Sequence, residues 1–546
     1  MADETFDFVI VGSGAGGLVA AVTARLAGLR PLVLEKTPLV GGSTSLSGGV
    51  LWLPDNPLMK REGVADSREE ALRYMDNFVE KDAPYSTPAR REAFVDNIGP
   101  MIATMEAQGM QYRRCPGYSD YYDLLPGGNA SGRAIEAELF DFNRLGAWKA
   151  RVRTPVTTVP VRTAEGARML AAGVTTAGKL LAARVAGRIV FNKLSGRAVY
   201  GTGGALQGRM LEIALRLGID IRTNAALLDL ETRSGCVEGV QVNHAGRMMT
   251  IGASRGVLIS AGGFSRNSAM RKQYQRHPIT DEWTFSNPGD TGEAIDAMAR
   301  AGAALAVMDE AWWNLKWFGP KGERGQIVPE LVKPFGILVD HAGNRMVNEA
   351  NSYMEVGRAI YARHATTPAI PAWLVMDARA RKRYMFSMQL PGAMPRAWVE
   401  GGFVKLDDTI AGLARQCGID PAGLEATVAR FNRFCETGAD EDYGRGKSAY
   451  NRYYADPTVK PNPSLGAIAQ PPFWAAPLYP GDVGTCGGVV TNERAEVLRP
   501  DGRVISGLYA AGNSAAPLCG TYYVGAGQSI GTSSVFGYIA AGQAAR

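Results

Sequence analysis

Histidine is scarce in this chain: four residues in 546, His244, His277, His341 and His364. Histidine-centred catalysis or metal binding therefore has few candidates. The six cysteines, Cys115, Cys236, Cys417, Cys435, Cys486 and Cys519, include no CxxC pair. This argues against a zinc or thioredoxin-like site, and no metal is expected. No leader stands ahead of the first apolar strand, so reduced thiols in a cytoplasm are the expectation. No uninterrupted apolar run is long enough to span a bilayer, and no fixed-period repeat or low-complexity tract is present. Acid is locally absent as well. Between Arg144 and Tyr200, Glu165 faces eleven Lys or Arg, so that segment carries +10 and the rest −4 of the net +6. One basic surface is implied rather than a general nucleic-acid coat, and no nucleic-acid partner is expected.

What is present is concentrated at the start. Phe8-Val9-Ile10-Val11 reads as a buried strand. Gly12-Ser13-Gly14-Ala15-Gly16-Gly17 follows, then a helical run from Leu18 to Leu26, then the strand Pro31-Leu32-Val33-Leu34 ending on Glu35 and Lys36. Strand, glycines, helix, strand and acid in this order form a complete dinucleotide-binding βαβ fingerprint. Gly12 permits the tight turn, Gly14 lets backbone approach a pyrophosphate, and Gly17 lets helix pack on strand. The helix N-terminus attracts the phosphates, and Glu35 is placed for a ribose hydroxyl. The loop Gly41-Gly42-Ser43-Thr44-Ser45-Leu46-Ser47-Gly48-Gly49 suits close backbone contact with a ligand.

The length suits two or three domains. Residues Ser67 to Met110 read as helical, as does Gly203 to Leu217; strands are expected around Ile219–Ile221, Val237–Val242 and Gly256–Ser260. The Gly256–Ser260 strand runs into Ala261-Gly262-Gly263-Phe264. From about Glu282 to Pro472 the chain becomes rich in Trp, Tyr, Pro and Arg, with a hairpin-like Gly336 to Asn348. Gly507-Leu508-Tyr509-Ala510-Ala511-Gly512-Asn513 then gives another strand into a glycine turn, and an apolar helix runs from Thr532 to Ala545. The expected fold is α/β: a Rossmann-like nucleotide domain interrupted by an α+β cap or catalytic domain. Its expected parts are 1–281, with the basic insertion at about 144–200, then 282–472 for the cap and 473–546 for the return.

These features resemble the fumarate reductase/succinate dehydrogenase flavoprotein superfamily along essentially the whole chain. The carriers are the N-terminal fingerprint, Gly41-Gly42-Ser43-Thr44, the AlaGlyGlyPhe turn and the GLYAAGN segment. The resemblance implies FAD, with Gly12, Gly14, Ala15, Gly16, Gly17, Glu35, Lys36, Gly42, Ser43, Thr44, Gly48 and Gly49 in the first part of its site. Ala261, Gly262, Gly263, Gly512, Asn513, Gly527, Ser529 and Ile530 would complete it. The histidine that links flavin covalently in many succinate dehydrogenases has no counterpart near Gly42, so non-covalent FAD is implied. NAD alone is the bland alternative, and it leaves the C-terminal return unexplained. The charged segments expected of a fumarate reductase are replaced by Lys333-Pro334-Phe335-Gly336 and by Gly520-Thr521-Tyr522-Tyr523-Val524-Gly525-Ala526-Gly527-Gln528-Ser529-Ile530-Gly531. An apolar, phenolic site suits a dianion poorly.

Within the superfamily the chain resembles 3-ketosteroid dehydrogenases of the Δ1 branch. Three motifs carry this: Tyr523-Val524-Gly525-Ala526-Gly527, with Val524 where proline is usual; Asn348-Glu349-Ala350-Asn351-Ser352-Tyr353; and Asp120-Tyr121-Tyr122 before Pro126-Gly127-Gly128. The implied reaction removes a proton from C2 and a hydride from C1 of ring A. The carbonyl oxygen gains negative charge, which Tyr523 and the Gly527 amide would stabilise. Tyr353 would be the base. A free phenol titrates near 10 and is a poor base at neutral pH, so a second phenol, Tyr121, would support it. Tyr118, Tyr121 and Tyr122 lie close together, which leaves the helper open, and Tyr522 adds a neighbouring phenol. Tyrosines in an aromatic-rich cap also commonly serve as core with a satisfied hydroxyl. Trp312, Trp313, Trp317 and Phe318 could line a sterol pocket or fill the core. The implied partners are a steroid and an external electron acceptor, quinone or dye-like. The alternatives are a 3-ketosteroid Δ4-(5α)-dehydrogenase or a fumarate-reductase-like reductase of another enoate.

The basic segment has two readings. Ala167 to Ile189, apolar with interspersed bases, suggests a helix at the surface of an anionic membrane. As one continuous helix, however, it would place Arg184 and Arg188 opposite Arg168 and Lys179, and Gly173, Gly178 and Gly187 weaken it. A soluble basic face is the other reading. The expected location is the cytoplasm, with peripheral contact at the inner face of the cell membrane left open.

Overall fold

The strand Phe8–Val11 buries all four side chains, as a strand covered on both faces must. The computed structural model, which describes residues 2–154 and 158–546, places it inside a six-stranded sheet. The order is Glu496–Leu498, Val504–Ala510, Val257–Ile259, Phe8–Val11, Pro31–Leu34, Asp220–Arg222. Every pairing is parallel except that of the outermost Glu496–Leu498 strand. This is the α/β doubly wound arrangement expected. A strand from near the C-terminus, Val504–Ala510, lies beside Val257–Ile259, so the chain closes its first domain only on its return.

The helices Ala15–Leu26 and Gln528–Ala544 pack together on this sheet. Their approach depends on small residues. A Cβ on Gly16 would lie 2.3 Å from Ser533 Oγ, and one on Gly537 2.3 Å from the Gly16 carbonyl oxygen. A second, antiparallel sheet builds the cap, in the order Arg324–Gln326, Ala311–Phe318, Phe473–Thr485, Ala372–Met376, Gly336–Val339. The long Phe473–Thr485 strand at its centre also pairs with Lys405–Asp407.

Several expectations are corrected. The helical stretch Ser67–Met110 is two helices, Arg68–Asp76 and Pro88–Ala107, because Ser67 and Thr87 each cap a separate start. Gly336–Asn348 is hairpin-like only at its turn, which an antiparallel Val339–Arg345 bridge closes; as a strand Gly336–Val339 pairs with Ala372–Met376. Arg345 is drawn instead into a buried network with Glu349 and Asp440. The expected boundary after Pro472 cuts ahead of Phe473–Thr485, which belongs to the cap sheet. The boundary after Asp281 cuts ahead of Glu293–Arg300, whose apolar residues join the core of the first domain. The single apolar helix Ala167–Ile189 is a pair of helices, Thr163–Leu170 and Thr176–Leu194, the second capped by the Thr175 hydroxyl.

Candidate active site

The N-terminal glycines divide by what surrounds them. Gly12 has φ +109°, and a Cβ there would lie 2.1 Å from the Ser260 carbonyl oxygen; a Cβ on Gly17 would lie 2.0 Å from the Gly12 carbonyl oxygen. Both are required by packing. Gly14, at the N-cap of the first helix, meets only Thr44 Oγ1 at 3.6 Å. The space over this helix N-terminus is therefore open, as a pyrophosphate needs. Thr44 Oγ1 accepts from the Ala15 amide at 3.2 Å and ties the second glycine loop to the first. Glu35 is buried at the end of its strand, where it accepts from the Ser13 hydroxyl at 2.5 Å and from the Thr37 amide and hydroxyl. A carboxylate has about four acceptor sites, which leaves one for a ribose hydroxyl.

On the far side, Ser514 Oγ accepts from the Ala261 amide and donates to the Gly262 carbonyl, joining the ends of two neighbouring parallel strands. A Cβ on Gly263 would lie 2.0 Å from Thr485 Oγ1, and one on Gly512 2.8 Å from Ser533 Oγ. A small pocket opens between this turn and the C-terminal helix, lined among others by Gly512, Asn513, Ser529 and Thr532. Gly527 caps that helix at φ +85°. The first-turn amides of Ser529 and Ile530 find no acceptor among the described residues, as helix starts dictate. Two helix N-termini, an open glycine and the pocket between them fit a flavin dinucleotide.

Three of the expected cofactor residues also have partners within the protein. Lys36 turns to the Glu293 carboxylate at 2.6 Å and the Gly289 carbonyl at 3.1 Å, so it braces the loop carrying Asp290. Gly49 is held by packing, since its Cβ would lie 2.3 Å from Thr202 backbone, and Gly48 faces Thr163. Two residues that the sequence did not single out line the same region. Asp290 is buried beside Ser43 Oγ at 3.2 Å and under Gly262, and burial pushes its carboxyl up to about 7. Arg90, also buried, lines the cavity, and burial draws its guanidinium down to about 10.

The three tyrosine motifs, far apart in sequence, converge. Ring centroids of Tyr121 and Tyr353 are 5.8 Å apart, those of Tyr121 and Tyr523 5.8 Å, and those of Tyr353 and Tyr523 5.3 Å. The Tyr523 hydroxyl lies 3.3 Å from Ser529 Oγ, at the N-terminus of the C-terminal helix. Burial pushes the Tyr353 phenol well above its usual value, and a hydrogen bond with Tyr523 adds to this, whereas one with Tyr121 lowers it. Tyr121 too is raised, first by burial and then by the other phenols. Tyr122 and Tyr522 face each other and Phe78. Tyr118 stacks on Tyr453 at 4.4 Å. Of the neighbouring phenols in each motif, Tyr121 and Tyr523 are thus the ones turned to Tyr353.

The scaffold explains the motifs. The Val524 carbonyl accepts from the Tyr74 hydroxyl and the Tyr121 amide, sewing the two tyrosine loops together. The Val524 amide donates to Gln528 Oε1 at 2.7 Å, a bond that proline could not make. Asp120 accepts from Trp52 Nε1 and Arg133, fixing the base of the Tyr121 loop. A Cβ on Gly525 would strike the Trp52 ring at 2.2 Å. Asn348 and Glu349 are also framework: Asn348 bonds Asn451, and Glu349 pairs with Arg345 and Arg445. The Asn451 helix brings in Tyr450, 4.2 Å from Tyr121 and absent from the motif reading, although a Tyr450, Tyr453, Tyr454 run is visible in the sequence. Trp312 lies 5.0 Å from Tyr523 and donates to Asn513, so it joins the phenols to the cofactor turn. Trp313 and Trp317 are buried in core clusters.

Comparison with known proteins agrees with this geometry. The family model described as an FAD binding domain matches residues 7–530. The chain is 40% identical to a 3-oxosteroid 1-dehydrogenase of Mycobacterium tuberculosis, over 99% of this chain and 98% of that one. It is 32% identical to a 4-oxocyclohexanecarboxylate 2-dehydrogenase of Sinomonas cyclohexanicum, over 99% and 94%. A crystal structure of the 3-ketosteroid delta1-dehydrogenase from Sterolibacterium denitrificans, in complex with 1,4-androstadiene-3,17-dione, superposes with a TM-score of 0.94 at 34% identity, covering 99% of each chain. The chain therefore belongs to the FAD binding domain family, in the group that includes the 3-oxosteroid 1-dehydrogenases, and is an FAD-dependent dehydrogenase.

Proposed function

We propose that the protein desaturates the C1–C2 bond of ring A in a 3-ketosteroid. The observation that carries this reading is the meeting of Tyr121, Tyr353 and Tyr523 beside the start of the C-terminal helix. Tyr523 and the Gly527 amide act on the 3-oxo oxygen and stabilise the charge it gains, which makes the C2 proton acidic. Tyr121 donates a hydrogen bond that stabilises the deprotonated form of Tyr353, and in that form Tyr353 takes the proton. The aromatic wall, with Trp312 and Tyr450, excludes water from the phenols. Glu35, Gly14 and the two helix N-termini would hold FAD without a covalent link, and bound FAD would supply the acceptor for the C1 hydride. The electrons would leave through an external quinone or dye-like acceptor.

Dicarboxylate reduction is disfavoured by the charges at hand: Arg358 stacks on Tyr522 and ion-pairs with Glu310 rather than facing Tyr353. Anaerobic mixing with a panel of cyclic and steroid ketones tests the proposal. A 1-ene product, with bleaching of the flavin, is expected. A 4-ene product from a 5α-steroid would assign the Δ4 reaction instead, and selective bleaching by small 4-oxocyclohexane acids would replace the steroid.

A further inference from the structure

Arg90 is the one charged side chain among the described residues that line the pocket between the Gly512 turn and the C-terminal helix. It comes from the first turn of the Pro88–Ala107 helix, which the Thr87 hydroxyl caps, and it is 1% exposed. Its Nη2 donates to the Ala516 carbonyl at 3.0 Å and its Nη1 to the Tyr85 carbonyl, and the Phe536 ring lies 4.8 Å from the guanidinium carbon. The third nitrogen, Nε, is buried and has no acceptor among the described residues. No carboxylate answers the charge. The neighbouring Arg91 pairs with Asp76, whereas Arg90 is faced by the Cys519 thiol, which burial pushes up to about 12 and so keeps neutral. The Cys486 thiol in the pocket wall is also held up by burial, and Glu310 beyond it is taken by Arg276 and Trp313. Burial draws Arg90 down only to about 10, so at neutral pH it is a cation. A buried cation without a counter-charge is costly, and two carbonyls would be served as well by a neutral donor.

We infer that Arg90 is the fixed counter-charge for the reduced flavin. The pocket it lines lies at the redox end of the site. Trp312 and Ser529 line the same pocket and both reach Tyr523, Trp312 at 5.0 Å between rings and Ser529 Oγ at 3.3 Å from the hydroxyl. The diphosphate belongs at the other end, over the open Gly14. A hydride carries two electrons and one proton, so its transfer to a neutral ring system leaves one negative charge there. Arg90, together with the first-turn amides of Ser529 and Ile530, which lack acceptors, offsets that charge from fixed positions, with no rearrangement as it develops. This role rests on the flavin and on the tyrosines that mark its ring end, and not on a steroid as the substrate.

Sulfite titration and redox potentiometry of the FAD-loaded protein test this without any steroid. Sulfite adds its electron pair to the oxidised flavin and likewise leaves negative charge on the ring. Arg90→Gln should weaken sulfite binding about tenfold or more, the effect of one charge at an effective protein dielectric. Its two-electron midpoint potential should fall by about 30 mV for each tenfold. Arg90→Lys keeps the charge and should stay within about threefold of wild type in sulfite binding. Thr87→Ala weakens the same helix without touching the charge; it should lower the melting temperature and leave both readouts unchanged. Wild-type potential and sulfite affinity in Arg90→Gln overturn the inference. So does a loss of FAD affinity with no shift in potential, which would assign Arg90 to the diphosphate. An equal shift in Thr87→Ala would make its role structural and overturns it too. Should Arg90→Gln not retain flavin, the wild type decides: sulfite binding no tighter than that of free FAD overturns the counter-charge. A negative steroid panel would leave all these readouts standing, so the two proposals fail separately.

Discussion

Tyr121 and Tyr122 are adjacent in sequence yet face opposite ways, the first to Tyr353 and Tyr523, the second to Tyr522 and Phe78. Tyr353→Phe should keep FAD and lower turnover by roughly 10²–10⁴, the contribution of a general base. Tyr523→Phe should lose a comparable factor, on the order of one oxyanion donor. Tyr522→Phe should be close to wild type and is the control within the motif. If it instead matches the Tyr523 variant, the assignment within the motif fails. The base must be deprotonated to act, and burial holds Tyr353 above its ordinary value. The rate should therefore keep rising with pH through the alkaline range. Tyr121→Phe removes the bond that lowers Tyr353, so its profile should move to still higher pH; a shift to lower pH would remove Tyr121 from the helper role. The motif tyrosines were legible because each sits in a local pattern. Tyr450 and Asp290 were not, because their significance lies in neighbours hundreds of residues away: Asn287-Pro288-Gly289-Asp290 alone reads as a turn.

Gly28 and Gly527 share nearly the same backbone, φ +87° and +85°. Their surroundings differ. Nothing lies within 4 Å of a Cβ at Gly28, whereas one at Gly527 would lie 2.0 Å from the Val50 carbonyl oxygen. Gly28→Ala should lose about 1 kcal/mol for the left-handed conformation and keep its flavin. Gly527→Ala adds a clash with the backbone of the Val50–Trp52 strand. It should lose on the order of 2–4 kcal/mol in denaturant unfolding, and its flavin-to-protein absorbance ratio should fall. Equal losses in the two variants would show that crowding at the helix cap is unimportant. Period and punctuation made the first βαβ unit and the closing helix readable. They failed where partners are distant: Gly336–Val339 reads as half of a hairpin but pairs 36 residues on with Ala372–Met376. Phe473–Thr485 looks like the start of the C-terminal return, yet its partners Ala311–Phe318 and Ala372–Met376 keep it in the cap.

At the scale of the molecule, the cofactor site is assembled from both ends of the chain. The first glycine loop lies near residue 12, and the cavity walls come from the 511–518 turn and the first turn of the Gln528–Ala544 helix. FAD bound there bridges segments about 500 residues apart, so it should stabilise them together. A ligand at a thousand times its dissociation constant adds about 4 kcal/mol to the folded state. Hydrogen exchange should therefore slow at residues 12–17 and 511–531 alike when FAD is returned to the deflavinated protein, and the melting temperature should rise with FAD concentration. Protection confined to the N-terminal segment would mean that the C-terminal return does not hold the flavin. The same preparation settles the linkage. In sequence the histidine nearest to Gly42 is His244, so acid precipitation should release all the chromophore into the supernatant as FAD. Yellow colour left on the precipitated chain would establish a covalent bond and require another nucleophile, for which Cys486, the buried cysteine that lines the cavity, is the side chain to examine.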